Sequence, residues 1–126
     1  AMKNVNFYNS KIVNVSFNDS KILNVIWDDS LIIILAMYNC DINEISFKIS
    51  KIEDISIKKC NLNNVSLENS RIEELKLIDN KGSNKGSLYS SKVNNIKGDI
   101  INLQGFAVSL EQILDYLEKI GINLHE

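Results

Sequence analysis

Few residues of this chain have the chemistry of an active site. Cys40 and Cys60 are its only thiols, and a thiol pair suggests a disulfide or part of a metal site. No Cys/His cluster with ligand spacing surrounds them, and the single histidine, His125, has the setting of a solvated side chain. The adjacent carboxylates Asp28/Asp29, Glu53/Asp54 and Glu73/Glu74 are of the types used for general acid and base work. Lys51 and Arg71 recur beside two of these pairs, so partly neutralised surface charge is the simpler reading. Ser10, Ser20, Ser30, Ser50 and Ser70 offer hydroxyl groups but no accompanying base. No glycine-rich loop leads into a helix in the manner that cradles phosphate. These residues point away from an enzyme and from any cofactor or metal.

Bulk composition narrows the class further. A length of 126 residues suits one domain, and 44% hydrophobic content suffices for a core. A net charge of −2 supplies no basic surface for direct nucleic-acid binding. The apolar run Leu31 to Met37 is far shorter than the roughly eighteen residues needed to cross a bilayer, so no membrane partner is expected. Two cysteines without a secretion signal favour a reducing, cytoplasmic setting.

The elements that position these residues follow from a period of five. From Val5 to Asp79 the chain divides into fifteen pentads without a gap: VNFYN, SKIVN, VSFND, SKILN, VIWDD and so on to LKLID. Every third residue of a pentad is large and apolar, among them Phe7, Ile12, Phe17, Ile22 and Trp27. The first residues alternate between Val/Ile/Leu and Ser/Cys. With 24% of the chain charged, none of these thirty positions carries a charge, so both columns point inward. Five matches neither the helical period nor a flat strand, and requires a bend after each short extended piece. The chain must coil, each turn stacking on the last at about 4.8 Å.

This pattern resembles the pentapeptide-repeat family over residues 5–79. The resemblance implies an all-β fold, a right-handed quadrilateral β-helix solenoid of nearly five coils with twenty residues per coil. The domain organisation expected is a β-helix over 4–108 with an inserted flexible loop at 80–90, then a C-terminal capping α-helix and tail over 109–126. Twenty-residue stacking would align Phe7, Trp27, Phe47 and Leu67 on one wall and Ile12, Ile32, Ile52 and Ile72 on the next. Ser10, Ser30, Ser50 and Ser70 would form one small-residue ladder, and Ser20, Cys40 and Cys60 another. Stacked side chains point parallel, so Cys40 and Cys60 are expected to stay reduced.

In this frame Leu31, Ile33 and Ile34 face outward, against the pattern. Val13 should sit one coil from Ile33, with Ile26 and Tyr38 as outward neighbours. Val13, Ile26, Leu31, Ile33, Ile34 and Tyr38 are therefore the candidate interaction patch, to be covered by a partner, a second copy or this chain's own 80–90 loop. Leu88 and Tyr89 are the internal candidates for that cover.

All five glycines follow residue 81, and "NKGSNKGS" reads as a flexible loop. Beyond it, Ser91/Val93, Ile96/Gly98, Ile101/Leu103 and Phe106/Val108 read as inward pairs, with Ser91 joining the Ser20/Cys40/Cys60 ladder. From Ser109 the period becomes helical: Leu110, Ile113, Leu114, Leu117 and Ile120 make an apolar stripe expected to cover the open last coil. Ser109 with Gln112 reads as a capping box, and Gly121 with Ile122 as a glycine stop. Tyr116, Ile122 and Leu124 would remain free for a homodimer contact, which the resemblance also implies.

The function expected is a non-enzymatic scaffold acting through protein contact. The resemblance also brings an alternative, a DNA-mimicking binder of bacterial type II topoisomerase (gyrase) related to quinolone resistance. That role needs a long, densely negative rod. Residues 5–79 carry eleven acidic and eight basic side chains, and fewer than five coils give a rod only about 25 Å tall.

Overall fold

The structure, a computed structural model, describes residues 1–125, apart from the side chain of Glu68. Glu126, the end of the expected tail, lies outside them. Strands follow one another with short bends between: β1 (Met2–Tyr8), β2 (Lys11–Asn18), β3 (Lys21–Asp28), β4 (Leu31–Tyr38), β5 (Asp41–Lys48), β6 (Lys51–Lys58), β7 (Asn61–Glu68) and β8 (Arg71–Ile78). They are completed by β9 (Gly86–Ser87), β10 (Lys92–Lys97), a 3-10 turn at Ile100–Leu103, β11 (Phe106–Ala107) and α1 (Leu110–Lys119). All strand pairing is parallel, in two sheets ordered β1-β3-β5-β7-β9-β11 and β10-β8-β6-β4-β2. The chain is an all-β solenoid of about five coils with one C-terminal helix.

The pairing register is twenty residues, as Ile12↔Ile32↔Ile52↔Ile72 shows. Each eight-residue strand bends midway and so supplies two walls of the coil. Numbering walls from Val5, the first carries Phe7, the second Ile12, the third Phe17 and the fourth Ile22. Ile32, Leu35, Phe47, Ile52 and Ile55 are wholly buried, which fills the interior with the two columns the pentads mark. In the first coil Val5, Phe7, Ile12, Val15 and Phe17 pack on the core above them and are only partly covered.

Bends impose their own chemistry. Left-handed backbone recurs at Asn9, Asp19, Asp29, Asn39, Asn69 and Asp79, and mid-strand at Asn4, Asn24 and Asn64. Asn and Asp tolerate that region because their short polar side chains bond locally. Asn24 and Asn39 also reach down one rung, to Asn4 Oδ1 at 3.0 Å and Asp19 Oδ1 at 2.6 Å. Glu44, Ile49 and Lys59 depart from this pattern, and of the three only Ile49 is β-branched: at φ 49° and 65% exposed, it gains nothing from burial to offset its strain.

The segment 80–90 is not a loop thrown out from the coil. Lys81 N–H donates to Cys60 O at 2.8 Å and Leu62 N–H to Lys81 O at 2.8 Å, so the fourth wall gains another rung here. Asn80, not Ser91, extends the Ser20/Cys40/Cys60 ladder, accepting from Cys60 N–H at 3.0 Å. One extra residue is absorbed between the Leu62/Lys81 and Asn64/Asn84 hydrogen bonds, and from the pair Val65↔Gly86 onward the offset is twenty-one. The glycines allow this because the backbones approach closely. A Cβ at Gly82 would lie 2.2 Å from Leu62 O, and one at Gly86 1.8 Å from Val65 O. Leu88 then enters the core above Leu67, and Ser91 stands above Ser70, two walls away from the expected place. Leu88 covers nothing outside, and Tyr89 is exposed. Ile101, expected inward, is carried outward by the 3-10 turn, while Leu103 stays buried.

Helix α1 has the expected ends. Ser109 Oγ accepts from Gln112 N–H at 3.1 Å, and Gln112 Oε1 accepts from Ser109 N–H at 2.9 Å. At the other end Gly121 N–H bonds Glu118 O and Ile122 N–H bonds Leu117 O, each at 3.0 Å. Its coil-facing side differs from the expected stripe. Gln112 Nε2 donates to Leu88 O and to Ser91 O at 2.9 Å, and Tyr116 Oη donates to Gly98 O at 3.0 Å. Carbonyls on the last rung need donors, so these polar residues turn inward with Ile113, leaving Leu110, Leu114 and Ile120 exposed.

Two outcomes follow. Ile49→Asn should raise unfolding free energy by about 1 kcal/mol in denaturant titration, by relieving the left-handed β-branched corner. Leu88→Ala should lower it by roughly 2–5 kcal/mol, whereas a residue in a detached loop would change it by less than about 0.5 kcal/mol.

Candidate interaction surface

The apolar patch is built by β2 and β4, where the second and third walls meet. Ile33 lies between the pairs Ile12↔Ile32 and Asn14↔Ile34, which sets it directly over Val13. Val13 is 60% exposed, Ile34 40% and Tyr38 45%; Leu31 and Ile33 are half-buried. Ile34 can occupy its corner because that corner, unlike the other three, takes no left-handed residue. Tyr38 continues the surface onto the third wall, between Asn18 and Lys58. Ile26 does not belong to it: it lies in β3, in the other sheet, between Asn6 and Ser46. With residues 80–90 built into the coil, no part of the described chain covers this belt.

Sequence reasoning missed two residues. Ile49 stands one rung up from Asp29 at the corner preceding Lys51, so it extends the belt diagonally from Leu31; its signal is a break in an Asn/Asp column. Lys85 is buried, with its amine 6.0 Å from the Phe106 ring centroid and its stem against Gly105. Burial lowers its pKa, and nothing in the sequence pattern signals it.

A second apolar surface lies on the outer side of α1. Tyr116 is not part of it, being buried and bonded to Gly98. Leu110, Leu114, Ile120, Ile122 and Leu124 are exposed there. Between β10 and α1 runs an open groove of about 300 Å³, rimmed by Asp115 and Lys119, which pair at 2.9 Å.

The chemically suggestive residues are occupied structurally. Ser30 and Ser50 Oγ donate to the carbonyls of Asp28 and Lys48 at 3.0 and 2.9 Å, and accept from the backbone N–H of Ser10 and Ser30 at 3.2 Å. Cys40 and Cys60 are both free thiols. Cys40 N–H donates to Cys60 Sγ at 3.3 Å, and Cys60 Sγ donates to Lys58 O at 3.3 Å. Burial pushes the Cys60 thiol up to about 11. Glu74 accepts from Lys97 Nζ at 3.0 Å, which holds its carboxyl below the usual range. Among the described residues no group of three His, Cys, Asp or Glu side chains is placed to hold a metal ion, and no helix is long and apolar enough to cross a membrane.

No protein-family model and no curated protein matches this chain. It is similar to a solved structure of trypsin-treated QnrB1, a plasmid-mediated fluoroquinolone resistance protein. That match has 11% identity and a TM-score of 0.25, over 97% of this chain and 99% of the other.

A thiol held near 11 is almost fully protonated at pH 8. Alkylation of Cys60 by iodoacetamide at that pH should be about a hundredfold slower in the native protein than in urea, followed by peptide mass spectrometry. Folding disfavours the thiolate, so the stability contributed by Cys60 is full below pH 9.0 and declines as pH rises toward about 11.

Proposed function

We propose that this chain is a non-enzymatic solenoid scaffold that acts by protein contact, with the belt of Val13, Leu31, Ile33, Ile34 and Tyr38 as its contact surface. One observation carries the reading: the second coil sets Leu31, Ile33, Ile34 and Tyr38 outward together, with Val13 directly below Ile33, whereas the same columns one coil up hold Lys51, Glu53, Asp54 and Lys58. Stiff parallel rungs hold the belt in fixed register, so a partner meets a preformed surface at little entropic cost. The outer side of α1 is a second surface for the same kind of contact, and a homodimer is the simplest use of either. Fifteen unbroken pentads support membership of the pentapeptide-repeat family. A cytoplasmic setting suits two buried, unpaired thiols.

The gyrase-binding alternative requires carboxylates arranged like phosphates along one face. Here Lys51 and Arg71 stand one column from Glu53 and Glu73, which breaks up any continuous negative face. The contact reading is therefore preferred.

Immobilised wild type and Ile33→Asp, matched for far-UV circular dichroism, should retain different proteins from a cell lysate, the variant losing those that the belt recruits. Identical retained sets would overturn the belt as contact surface.

A further inference from the structure

The second wall bears two outward columns, two residues apart on each rung. From the first coil upward one column reads Lys11, Leu31, Lys51, Arg71 and Lys92, paired rung to rung. The other reads Val13, Ile33, Glu53, Glu73 and Asn94 in the same register. Cations fill the first column except at Leu31. The second is anionic where the first holds Lys51 and Arg71, and apolar where the first holds Leu31. Lys51, Arg71 and Glu53 make no ion pair or side-chain hydrogen bond among the described residues, and Glu73 accepts one hydrogen bond, from Asn94 Nδ2 at 2.8 Å. The wall thus presents free charges of both signs, sorted by column, around an apolar rung.

We propose that this wall is self-complementary, and that its occupant is a second copy of the chain related by a two-fold axis parallel to the solenoid axis. The inference rests on the contact reading above and names the partner. Such an axis keeps every rung at its height and exchanges the two columns. Leu31 then faces Ile33 of the second copy, Lys51 faces its Glu53, and Arg71 faces its Glu73, each contact occurring twice. A two-fold axis running across the wall would instead set the cationic column against itself, which like-charge repulsion opposes. Charge order therefore selects side-by-side copies with the same end up.

The wall is small. About five rungs at 4.8 Å make it roughly 24 Å tall and one short strand wide, below the ~800 Å² per partner of a standard interface. The dimer belongs with weak contacts that form as concentration rises.

Sedimentation equilibrium from micromolar to millimolar protein at low salt tests this. Wild-type mass should climb from monomer toward dimer, and salt should oppose the climb. Lys51→Glu and Glu53→Lys should each weaken association by about tenfold or more, since each places two like-charge contacts in the interface. The double variant Lys51→Glu/Glu53→Lys should recover wild-type association within about threefold, because exchanged columns still match. A double variant no better than the single ones would overturn the proposal, as would a dimer dissolved by Leu114→Asp in α1 but not by Lys51→Glu. A wild type that stays monomeric while Ile33→Asp still loses captured proteins would overturn the second copy and leave the contact reading standing. Monomeric wild type with unchanged capture would overturn both.

Discussion

Rung-on-rung register is the constraint on which the rest of this molecule depends. Twenty residues on, or twenty-one in the last coil, the chain returns to the same place one rung higher, and backbone donors such as Asp29 N–H and Asn39 N–H find carbonyls of the next coil at 2.9 and 3.0 Å. Like therefore stacks on like. Phe7, Trp27 and Phe47 lie nearly parallel with ring centroids 4.9 and 5.0 Å apart. The arrangement has a cost, since Trp27 Nε1 is buried without an acceptor among the described residues, a penalty on the order of 1–3 kcal/mol. Large aromatic contact area offsets it.

The same register turns single residues into surfaces. An outward side chain in one coil is a member of a column in the folded molecule, so a change of chemistry between coils is a boundary on a wall. That is how Val13 and Ile33, twenty residues apart, become a continuous apolar rung pair, and how Lys51 and Arg71 become a cationic edge. Parallel rungs on a packed core leave little freedom to rearrange, so each wall displays its side chains in a fixed arrangement. The small residues that resemble catalytic equipment, the serines and cysteines, are consumed by the ladders that hold the corners.

Inward positions are legible in the sequence because the period of five has one physical solution: two buried columns and a bend. Capping of α1 is legible for the same kind of reason, since Ser109, Gln112 and Gly121 act locally. Residues 80–91 are not, because glycine has two uses. Composition favours the flexible one, yet Gly82 and Gly86 serve close backbone approach, visible only once Leu62 and Val65 are in place. Misplacing that rung moves Ser91 by two walls and sends Leu88 outside. Tyr116 reads as free because helical periodicity reports apolar faces, whereas the last rung asks for hydrogen-bond donors. Ile26 reads as part of the belt because nearness in sequence ignores the corner between two sheets.

The central claim is that residues 80–91 complete the core and leave the belt bare. Methyl-labelled protein, diluted below any self-association and exposed to a soluble paramagnetic agent, tests it in one spectrum. The methyl groups of Leu88 should keep sharp signals like those of Ile32 and Leu35, while those of Val13 broaden strongly. Broadened Leu88 together with protected Val13 would mean that the segment folds over the belt, contradicting the fifth coil and the open contact surface alike.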